Sequence, residues 1–299
     1  MPWWTSEGGN ARSLGTGHPP KLRSCSVSSL SLQEKIARLY DSEILPIWSE
    51  PFGRMLLDKV QVPPRSTILD AACGTGYPSL LLVKKLDPQT RIVAVDSSHE
   101  MLAVAREKAG PLSGKRIFFK HERIEQISFP ANTFNMVISN CGILTIPDPR
   151  LGLREMVRVA KPGATVMVTF ELRGSFAEFY DIFGEVLTKF DMRDELRRLD
   201  EYVGRLPDHN GALTMLREAG LERVDLETRE FTLLFPSGRE FFFSPLIEYG
   251  YLSDWKALVG TGEQMQRVFW HIKNAIDLYY QGRPYDVKVI AACAWGQKP

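Results

Sequence analysis

The stretch ILDAACGTGYPSL, residues 68–80, places a carboxylate shortly before two glycines that one residue separates. Asp70 closes an apolar run that is typical of a buried β-strand. Because Gly74 and Gly76 lack a Cβ atom, the backbone there can approach a ligand closely and adopt conformations that other residues avoid. A turn of this kind after a strand predicts a binding site for a nucleotide-like molecule.

The residues around the turn discriminate between nucleotide-like ligands by charge. The sequence contains no G-x-x-x-x-G-K-[ST] phosphate loop. A dinucleotide fingerprint requires a third glycine where Ser79 stands, and the charge of Asp70 would repel a pyrophosphate. S-adenosylmethionine has no phosphate and carries a positive ammonium and a positive sulfur. An acid at the end of the strand therefore favours S-adenosylmethionine as the ligand.

From residue 66 onward, short β-rich runs alternate with segments of helical periodicity. Strands are predicted for STILDAA, RIVAVD, RIFFK, FNMVISN and ATVMVTF, with helices between most of them. Strands and helices that alternate through short loops predict an α/β fold with a doubly wound, mostly parallel sheet.

The regular alternation of strand and helix patterns ends after Phe170, and helical patterns become more frequent than strand patterns. Two insertions, over about residues 171–207 and 236–285, are mainly helical in pattern, with a helical stretch over 175–203. The strands ERVDLETREFTLLF and YDVKVIAACAW follow them. We expect the insertions to form a lid over the ligand edge of one domain that spans residues 31–299, although they could equally form the contact surface of a homodimer.

The composition limits the partners and the compartment. The chain has 299 residues and a formal net charge of +1, with scattered Lys and Arg residues, which disfavours nucleic acid as a partner. No apolar run approaches the roughly 20 residues of a membrane span. The four cysteines lack metal-ligand or disulfide spacing, so we expect no metal and a cytoplasmic location. Residues 1–30 are expected to be a flexible tail, with a transit peptide as the alternative.

Four motifs in order carry a family resemblance: DAACGTG, VAVDSSHEML, ISFPANTFNMVISN and LREMVRVAKPG. Together they resemble the class I S-adenosylmethionine-dependent methyltransferases, particularly the group that includes the ubiquinone and menaquinone C-methyltransferases and many natural-product methyltransferases. The resemblance covers about residues 36–170. It implies a Rossmann-like sheet of seven strands and S-adenosylmethionine as the cofactor.

The resemblance gives roles to residues at the ends of the first two strands. Asp70 resembles the acid that orders the amino group of the cofactor, usually through water, and Gly74 and Gly76 resemble the turn against its methionine and ribose. Asp96 resembles the carboxylate that binds both ribose hydroxyls, a task suited to a charged acceptor of two hydrogen bonds. Each acid could instead simply cap the helix that follows it.

Further cofactor contacts are implied by position. Ser97 and Met101 resemble the segment that lines the ribose and adenine. Asn140, at the tip of the fourth strand, resembles the residue whose backbone carbonyl receives the ammonium, and Tyr40 resembles a tyrosine that closes over the carboxylate end. Met101 and Tyr40 could equally be ordinary packing residues.

Two positions depart from the pattern of the family. Ala72 stands in place of the usual first glycine. Arg123 stands where an aspartate commonly reads the adenine amino group, and a guanidinium can stack on adenine but cannot accept its amino hydrogens. Glu122 or the backbone at Ile124 is therefore expected to read the adenine.

The expected function is the transfer of a methyl group, by in-line displacement, to an oxygen, nitrogen or carbon atom of a small molecule. A noncatalytic cofactor-binding protein of the same fold and a nicotinamide oxidoreductase are the alternatives. Aromatic residues of the two insertions suggest an apolar or aromatic acceptor, although packing within the lid explains them as well. They are Phe176, Phe179, Tyr180, Phe183, Phe241, Phe242, Phe243, Tyr249, Tyr251 and Trp255.

The sequence identifies no catalytic residue. Alignment of the reacting atoms can supply roughly 7 to 11 kcal/mol of the barrier without one. If the acceptor is a phenol or an acidic carbon, a base would help, and Glu171, Tyr180, His209 and His271 are the candidates.

Overall fold

The computed structural model describes residues 30–299. The tail predicted over residues 1–30 therefore lies outside the described residues, except for Leu30. Within the described part of the chain, no helix is both long and apolar enough to cross a bilayer.

Eight strands are present between residues 30 and 299. They are β1 (Thr67–Ala71), β2 (Arg91–Asp96), β3 (Ile117–His121), β4 (Phe134–Asn140), β5 (Ala160–Glu171), β6 (Arg173–Phe176), β7 (Glu222–Phe235) and β8 (Tyr285–Gln297). Seven of them form one sheet in the order β3-β2-β1-β4-β5-β8-β7. Strands β1 to β5 are parallel, and β8 is antiparallel to both of its neighbours. The predicted mostly parallel sheet is thereby confirmed.

The helices flank this sheet and fill the two insertions. They are α1 (Leu32–Leu39), α2 (Ser49–Lys59), α3 (Ser79–Lys85), α4 (His99–Ala109), α5 (Pro149–Val159), α6 (Ala177–Lys189), α7 (Arg193–Gly204), α8 (His209–Glu218), α9 (Gly238–Phe243), α10 (Pro245–Gly250), α11 (Leu252–Val259) and α12 (Gly262–Tyr280). A π-helical segment, Tyr40–Ile44, continues α1, and 3₁₀ turns span Gly110–Leu112 and Ile124–Gln126.

The strand order reverses between β1 and β4, and ligands of such sheets bind at the carboxyl ends of the strands near this point. Strands β2, β4 and β7 begin and end at the predicted residues. The helical stretch predicted over 175–203 is instead two helices, α6 and α7. Asp191 separates them because its left-handed φ of 52° is incompatible with a continuing right-handed helix.

Successive residues of a strand point to opposite faces, so each face of the sheet has its own core. On β1, Ile68 belongs to the core that includes Phe52 of α2, whereas Leu69 belongs to the core that includes Met156 of α5. The aromatic residues of the insertions join the first of these cores. The inserted helices therefore cover the same face of the sheet as α2.

Most aromatic residues of the insertions pack against one another. The rings of Phe179 and Trp255 stack with their centroids 4.1 Å apart, and the ring of Phe241 lies 5.1 Å from that of Phe179. All three side chains are fully buried, whereas Tyr249 is exposed. The packing interpretation thus explains most of the series.

Candidate cofactor and acceptor site

Residues 72–76 form a tight turn after β1, which we call the glycine turn. Ala72, Gly74 and Gly76 have positive φ angles of 59°, 52° and 94°. A left-handed backbone costs a residue with a Cβ atom roughly 1 to 2 kcal/mol. Position 72 therefore favours glycine on physical grounds, and the alanine found there occupies it under strain.

The two glycines of the turn serve different purposes. A Cβ atom added at Gly76 would lie 2.9 Å from Cδ1 of Leu80, so glycine at position 76 lets α3 pack against the turn. A Cβ atom added at Gly74 would meet only Cε1 of Tyr40, at 3.8 Å. The surface beside Gly74 is therefore the side of the turn that a ligand can approach.

Asp70 is fully buried beneath the glycine turn. Its Oδ2 accepts a 2.6 Å hydrogen bond from the hydroxyl of Ser79, whereas Oδ1 has no partner in the described residues. Burial raises the pKa of Asp70 to about 7. A carboxyl group held in this way gains most from a cationic ligand or an ordered water.

Two further buried polar atoms near the turn lack a partner among residues 30–299, namely Oγ1 of Thr75 and Oγ of Ser139. Buried polar groups are nearly always hydrogen-bonded, so such orphans require an explanation. Together with Oδ1 of Asp70, they provide hydrogen-bonding groups for a polar ligand. The turn therefore fits the amino-acid end of S-adenosylmethionine.

Asp96 fastens the glycine turn to the end of β2. Its Oδ2 accepts a hydrogen bond from the amide of Gly74 at 2.8 Å, and its Oδ1 accepts one from the amide of Ser98 at 2.9 Å. Burial raises the pKa of this carboxyl group, and the two amides oppose that shift. A carboxylate offers about four acceptor positions, so both oxygens can still accept the hydroxyls of a ribose.

Tyr40 is connected to the tips of β4 and β5 through a chain of hydrogen bonds. Its hydroxyl shares a 2.6 Å hydrogen bond with the hydroxyl of Ser49. The side-chain amide of Asn140 donates to the carbonyl of Ser49 at 3.0 Å, and the hydroxyl of Thr169 donates to Oδ1 of Asn140 at 2.7 Å. These hydrogen bonds hold Tyr40 and Asn140 together at the same edge of the sheet as the glycine turn.

Ser97 and Met101 flank the start of α4. The carbonyl of Ser97 lies 2.9 Å from Nε2 of His121, and the amide of Met101 donates to the hydroxyl of the capping residue Ser98 at 3.2 Å. Both Ser97 and Met101 therefore follow Asp96 at the edge of the sheet, on the side where an adenosine would extend from the turn.

The side chain of Arg123 is largely exposed and pairs with a neighbouring acid. Its guanidinium forms an ion pair with Glu125 at 2.7 Å, and 62% of its side chain is exposed. The carboxylate of Glu122 is paired with Lys120 at 2.5 Å and also binds Ser128. Ile124, which follows them, is buried and begins a 3₁₀ turn.

Of the four candidate bases, the structure brings Glu171 alone to the tip of β5 next to the Asn140 network. His209 is exposed at the start of α8, on the other face of the sheet. His271 lies in α12 against the ring of Phe190, with centroids 4.9 Å apart. Tyr180 is nearly fully buried, and burial raises its pKa, so it stays protonated.

Sequence reasoning did not find several residues of this region. Trp48 and Ser49 begin α2 without any motif, and Cys141 follows Asn140 in a left-handed conformation with φ of 57°. The imidazole rings of His99 and His121 stack 3.6 Å apart beside Ser97. Only their positions directly after β2 and at the end of β3 could have indicated that these two rings meet.

Comparison with known proteins identifies the class of this chain. Residues 64–227 match a protein family described as a methyltransferase domain. The match spans more than half of the chain, so the chain belongs to this family, and its sheet and glycine turn are those of a class I S-adenosylmethionine-dependent methyltransferase. This assignment rejects the nicotinamide oxidoreductase that the sheet alone left open.

Curated relatives belong to the same class. A demethylmenaquinone methyltransferase of Bacillus cereus is 29% identical over 183 residues, which cover 58% of this chain and 76% of that protein. A Bacillus anthracis protein of the same name is also 29% identical over 183 residues, with the same coverage of both chains.

Two solved structures share the fold at lower identity. The YcgJ protein from Bacillus subtilis is 17% identical, with a TM-score of 0.55 over 83% of this chain and 98% of that one. The [4+2]-cyclase SpnF is 18% identical, with a TM-score of 0.51 over 89% of this chain and 96% of that one. Because a cyclase has the fold, the architecture alone does not define the reaction.

Proposed function

We propose that this enzyme transfers a methyl group from S-adenosylmethionine to an oxygen, nitrogen or carbon atom of a small, apolar or aromatic molecule. The observation that carries this proposal is a set of three aromatic side chains next to the Asn140 network, which we call the aromatic wall: Trp48, Phe176 and Tyr251. Their ring centroids lie 4.9 to 6.1 Å apart. The name of the Bacillus relatives supports a small-molecule acceptor.

The cofactor-binding roles are part of this proposal. Asp70 would order the ammonium, the glycine turn would contact the methionine and ribose, and Asp96 would bind the ribose hydroxyls. Ser97 and Met101 would line the ribose and adenine, and the backbone at Ile124 would read the adenine. The carbonyl of Asn140 would receive the ammonium, with Tyr40 closing over the carboxylate end.

Alignment is the main task of the residues around the reacting atoms. Bound S-adenosylmethionine supplies a methyl group on a positively charged sulfur, which leaves as a neutral thioether without help from an acid. The hydrogen-bond chain from Tyr40 through Ser49 to Asn140 fixes the wall relative to the cofactor edge, since Trp48 directly precedes Ser49. Holding the reacting atoms in line can supply roughly 7 to 11 kcal/mol of the barrier.

The insertions over about residues 171–207 and 236–285 are proposed to be a lid. Phe176 and Tyr251, one from each insertion, lie 4.9 Å apart in the wall, and Phe176 is nearly fully buried. The helices behind them share the buried cluster around Trp255. A lid built in this way would exclude water from the transfer and would admit only compact acceptors.

Nucleic acid is not proposed as an acceptor. The net charge is only +1, and the Lys and Arg residues are scattered along the sequence, which disfavours nucleic acid as a partner. The residues after β4, SNCGILTIPDP, also lack the N-P-P-Y-like string that accompanies amino methylation of DNA bases. A homodimer through the outer face of the insertions remains a prediction, which sedimentation equilibrium would test.

Acceptor profiling tests the proposed function. The purified full-length chain is incubated with a cell extract and S-adenosylmethionine labelled in its methyl group, and the products are separated by ultrafiltration. We expect label in the small-molecule fraction, and little from Asp96→Asn, while the exposed carboxylate variant Glu263→Gln matches wild type. Label confined to protein or nucleic acid, or cofactor binding without any transfer, would contradict the proposal.

A further inference from the structure

Glu171 is a partly buried carboxyl group that the cofactor site does not use. It ends β5, two residues after Thr169, whose hydroxyl donates to Asn140 at the tip of β4. The parallel pairing of β4 with β5 places both strand ends on one edge of the sheet. Glu171 therefore lies on the acceptor side of Asn140, away from Asp70 and Asp96.

A single hydrogen bond holds this carboxyl group. The hydroxyl of Tyr251 donates to Oε2 at 3.0 Å, and Oε1 accepts no hydrogen bond from the described residues. Within residues 30–299, burial and the hydrogen bond from Tyr251 are the influences on the pKa of Glu171, and no Lys, Arg or His is among them. Glu171 keeps partial solvent accessibility, so its free oxygen remains available to a bound molecule.

The titratable groups around Glu171 are neutral: they are the thiol of Cys141 and the hydroxyls of Tyr180, Tyr202 and Tyr251, whose pKa values burial and the charge of Glu171 raise. The charge of Asp254 acts on Tyr180 and Tyr202 in the same direction. The hydrogen-bond partner of Glu171, Tyr251, belongs to the aromatic wall with Trp48 and Phe176. Cys141 lies nearby, and burial, with a smaller contribution from the charge of Glu171, raises the pKa of its thiol so that it remains neutral. The site thus combines flat apolar surfaces with one acceptor of protons.

We propose that Glu171 is the catalytic base for a neutral aromatic acceptor that carries a hydroxyl group, a phenol or an enol, which lies against the aromatic wall. The inference rests on the proposed methyltransferase function and specifies its acceptor. The acceptor oxygen forms a bond to the methyl carbon as the carbon–sulfur bond breaks and its electron pair stays on sulfur. The hydroxyl proton of the acceptor passes to Oε1 of Glu171.

The electrostatics of the site favour a hydroxyl over other groups. Burial raises the pKa of Glu171 to about 7, which is near the optimum for a base that works at neutral pH. A carboxylate on the acceptor would be repelled by the ionised glutamate. An arylamine is uncharged near pH 7 and attacks through its nitrogen lone pair before any proton leaves, so a neighbouring base would assist it less than it assists a hydroxyl.

Three matched probes test the assignment: para-cresol, para-toluidine and para-toluate, which differ only in the reacting group. Wild type, Glu171→Gln, Tyr251→Phe and the control Glu263→Gln are compared for methyl transfer as a function of pH at saturating S-adenosylmethionine. Calorimetry with S-adenosylhomocysteine is run on each variant. Cofactor affinity within about twofold of wild type shows that a variant is folded and that its cofactor site is intact.

We expect wild type to methylate para-cresol, with a rate that rises with pH as Glu171 loses its proton. Glu171→Gln should reduce the rate about 100-fold and remove this rise, whereas Glu263→Gln changes neither. Because the hydrogen bond from Tyr251 lowers the pKa of Glu171, Tyr251→Phe should move the rise to higher pH. A purely structural role of Tyr251 would not shift the pH profile.

Several results would overturn the assignment. They are preference for para-toluidine or para-toluate, no transfer to para-cresol although S-adenosylhomocysteine binds, and an unchanged rate and pH profile in Glu171→Gln. Absence of S-adenosylhomocysteine binding to wild type would be a different failure. It would reject the proposed function and not the choice of acceptor.

Discussion

The cofactor edge and the acceptor side of this enzyme are built in opposite ways. At the cofactor edge, Asp70, the glycine turn and Asp96 lie within 27 consecutive residues, and their hydrogen bonds are short-range links between β1 and β2. On the acceptor side, Trp48, Glu171 and Tyr251 come from three distant segments that only the fold brings together. The proposed contacts to the ribose are therefore local in sequence, whereas the proposed contacts to the acceptor depend on tertiary structure.

The largest expected effect is at Asp96. Asp96→Ala removes the acceptor of the Gly74 amide and the proposed acceptor of the ribose hydroxyls. With charge-assisted hydrogen bonds worth roughly 1.5 to 3 kcal/mol each, the dissociation constant for S-adenosylhomocysteine should rise on the order of 100-fold or more. Calorimetry measures it, with the exposed Asp200→Ala as control. An affinity within a few-fold of wild type would show that this acid only fastens the glycine turn to β2.

Substitution of Asp70 should have opposite effects on the stability of the unliganded protein and on its affinity for S-adenosylhomocysteine. Its pKa of about 7 exceeds the value of about 4 for an exposed aspartate, so the folded protein holds a proton that the unfolded chain has released. The stability of the unliganded protein should therefore decrease as the pH rises from about 4 to about 7. Asp70→Asn removes the share of this dependence that Asp70 contributes, whereas Glu171, whose pKa is also raised to about 7, keeps its own share. The substitution should stabilise the unliganded protein by about 1 to 3 kcal/mol near pH 8.

The same substitution should weaken S-adenosylhomocysteine binding by about 10- to 100-fold. If the ammonium favours ionised Asp70, binding to wild type below about pH 7 also releases a proton, which calorimetry in buffers of different ionisation enthalpy detects. Asp70→Asn should lose this proton release. Tighter binding by Asp70→Asn, or an unchanged proton release, would place the ammonium elsewhere.

A substitution at Trp48 tests the acceptor side. Trp48→Leu removes one ring of the aromatic wall but leaves the backbone of Ser49 to bind Asn140. We expect kcat/KM for the acceptor to decrease about 10-fold, with little change in the affinity for S-adenosylhomocysteine. Equal losses in kcat/KM and in the affinity for S-adenosylhomocysteine would mean that the aromatic wall and the cofactor edge are energetically coupled.

The smallest effect concerns the strained turn. A Cβ atom at Gly142 would lie 2.4 Å from Cβ of Ala72, so Gly142→Ala should destabilise the protein by about 1 to 3 kcal/mol. Ala72→Gly removes the opposing atom and should recover about 1 kcal/mol of that loss in the double variant. Denaturant unfolding of the four proteins measures the coupling. Strictly additive effects would show that the two positions do not oppose each other.

This contrast also explains what the sequence could predict. β2 and β4 followed from local apolar patterns, and the positions of Asp70, Gly74 and Asp96 followed from their places at strand ends. The ends of strands are local features, and parallel topology fixes where they meet. The resemblance to a known family then supplied the cofactor.

Other features could not be predicted in this way. The stacking of His99 on His121 depends on the register between β2 and β3, which pairs Asp96 with His121. The hydrogen bond between Tyr251 and Glu171 joins residues 80 positions apart. No periodicity or spacing encodes such contacts, because they arise from the packing of the insertions on the sheet.

A crystal structure with S-adenosylhomocysteine tests the central claim most directly. We predict that Asp96 accepts hydrogen bonds from both ribose hydroxyls, that the amino group lies between Asp70 and Asn140, and that the sulfur faces Glu171 and the aromatic wall. A nucleoside bound away from Asp96, or a sulfur directed away from Glu171, would contradict the division of the enzyme into a local cofactor edge and a separate acceptor side.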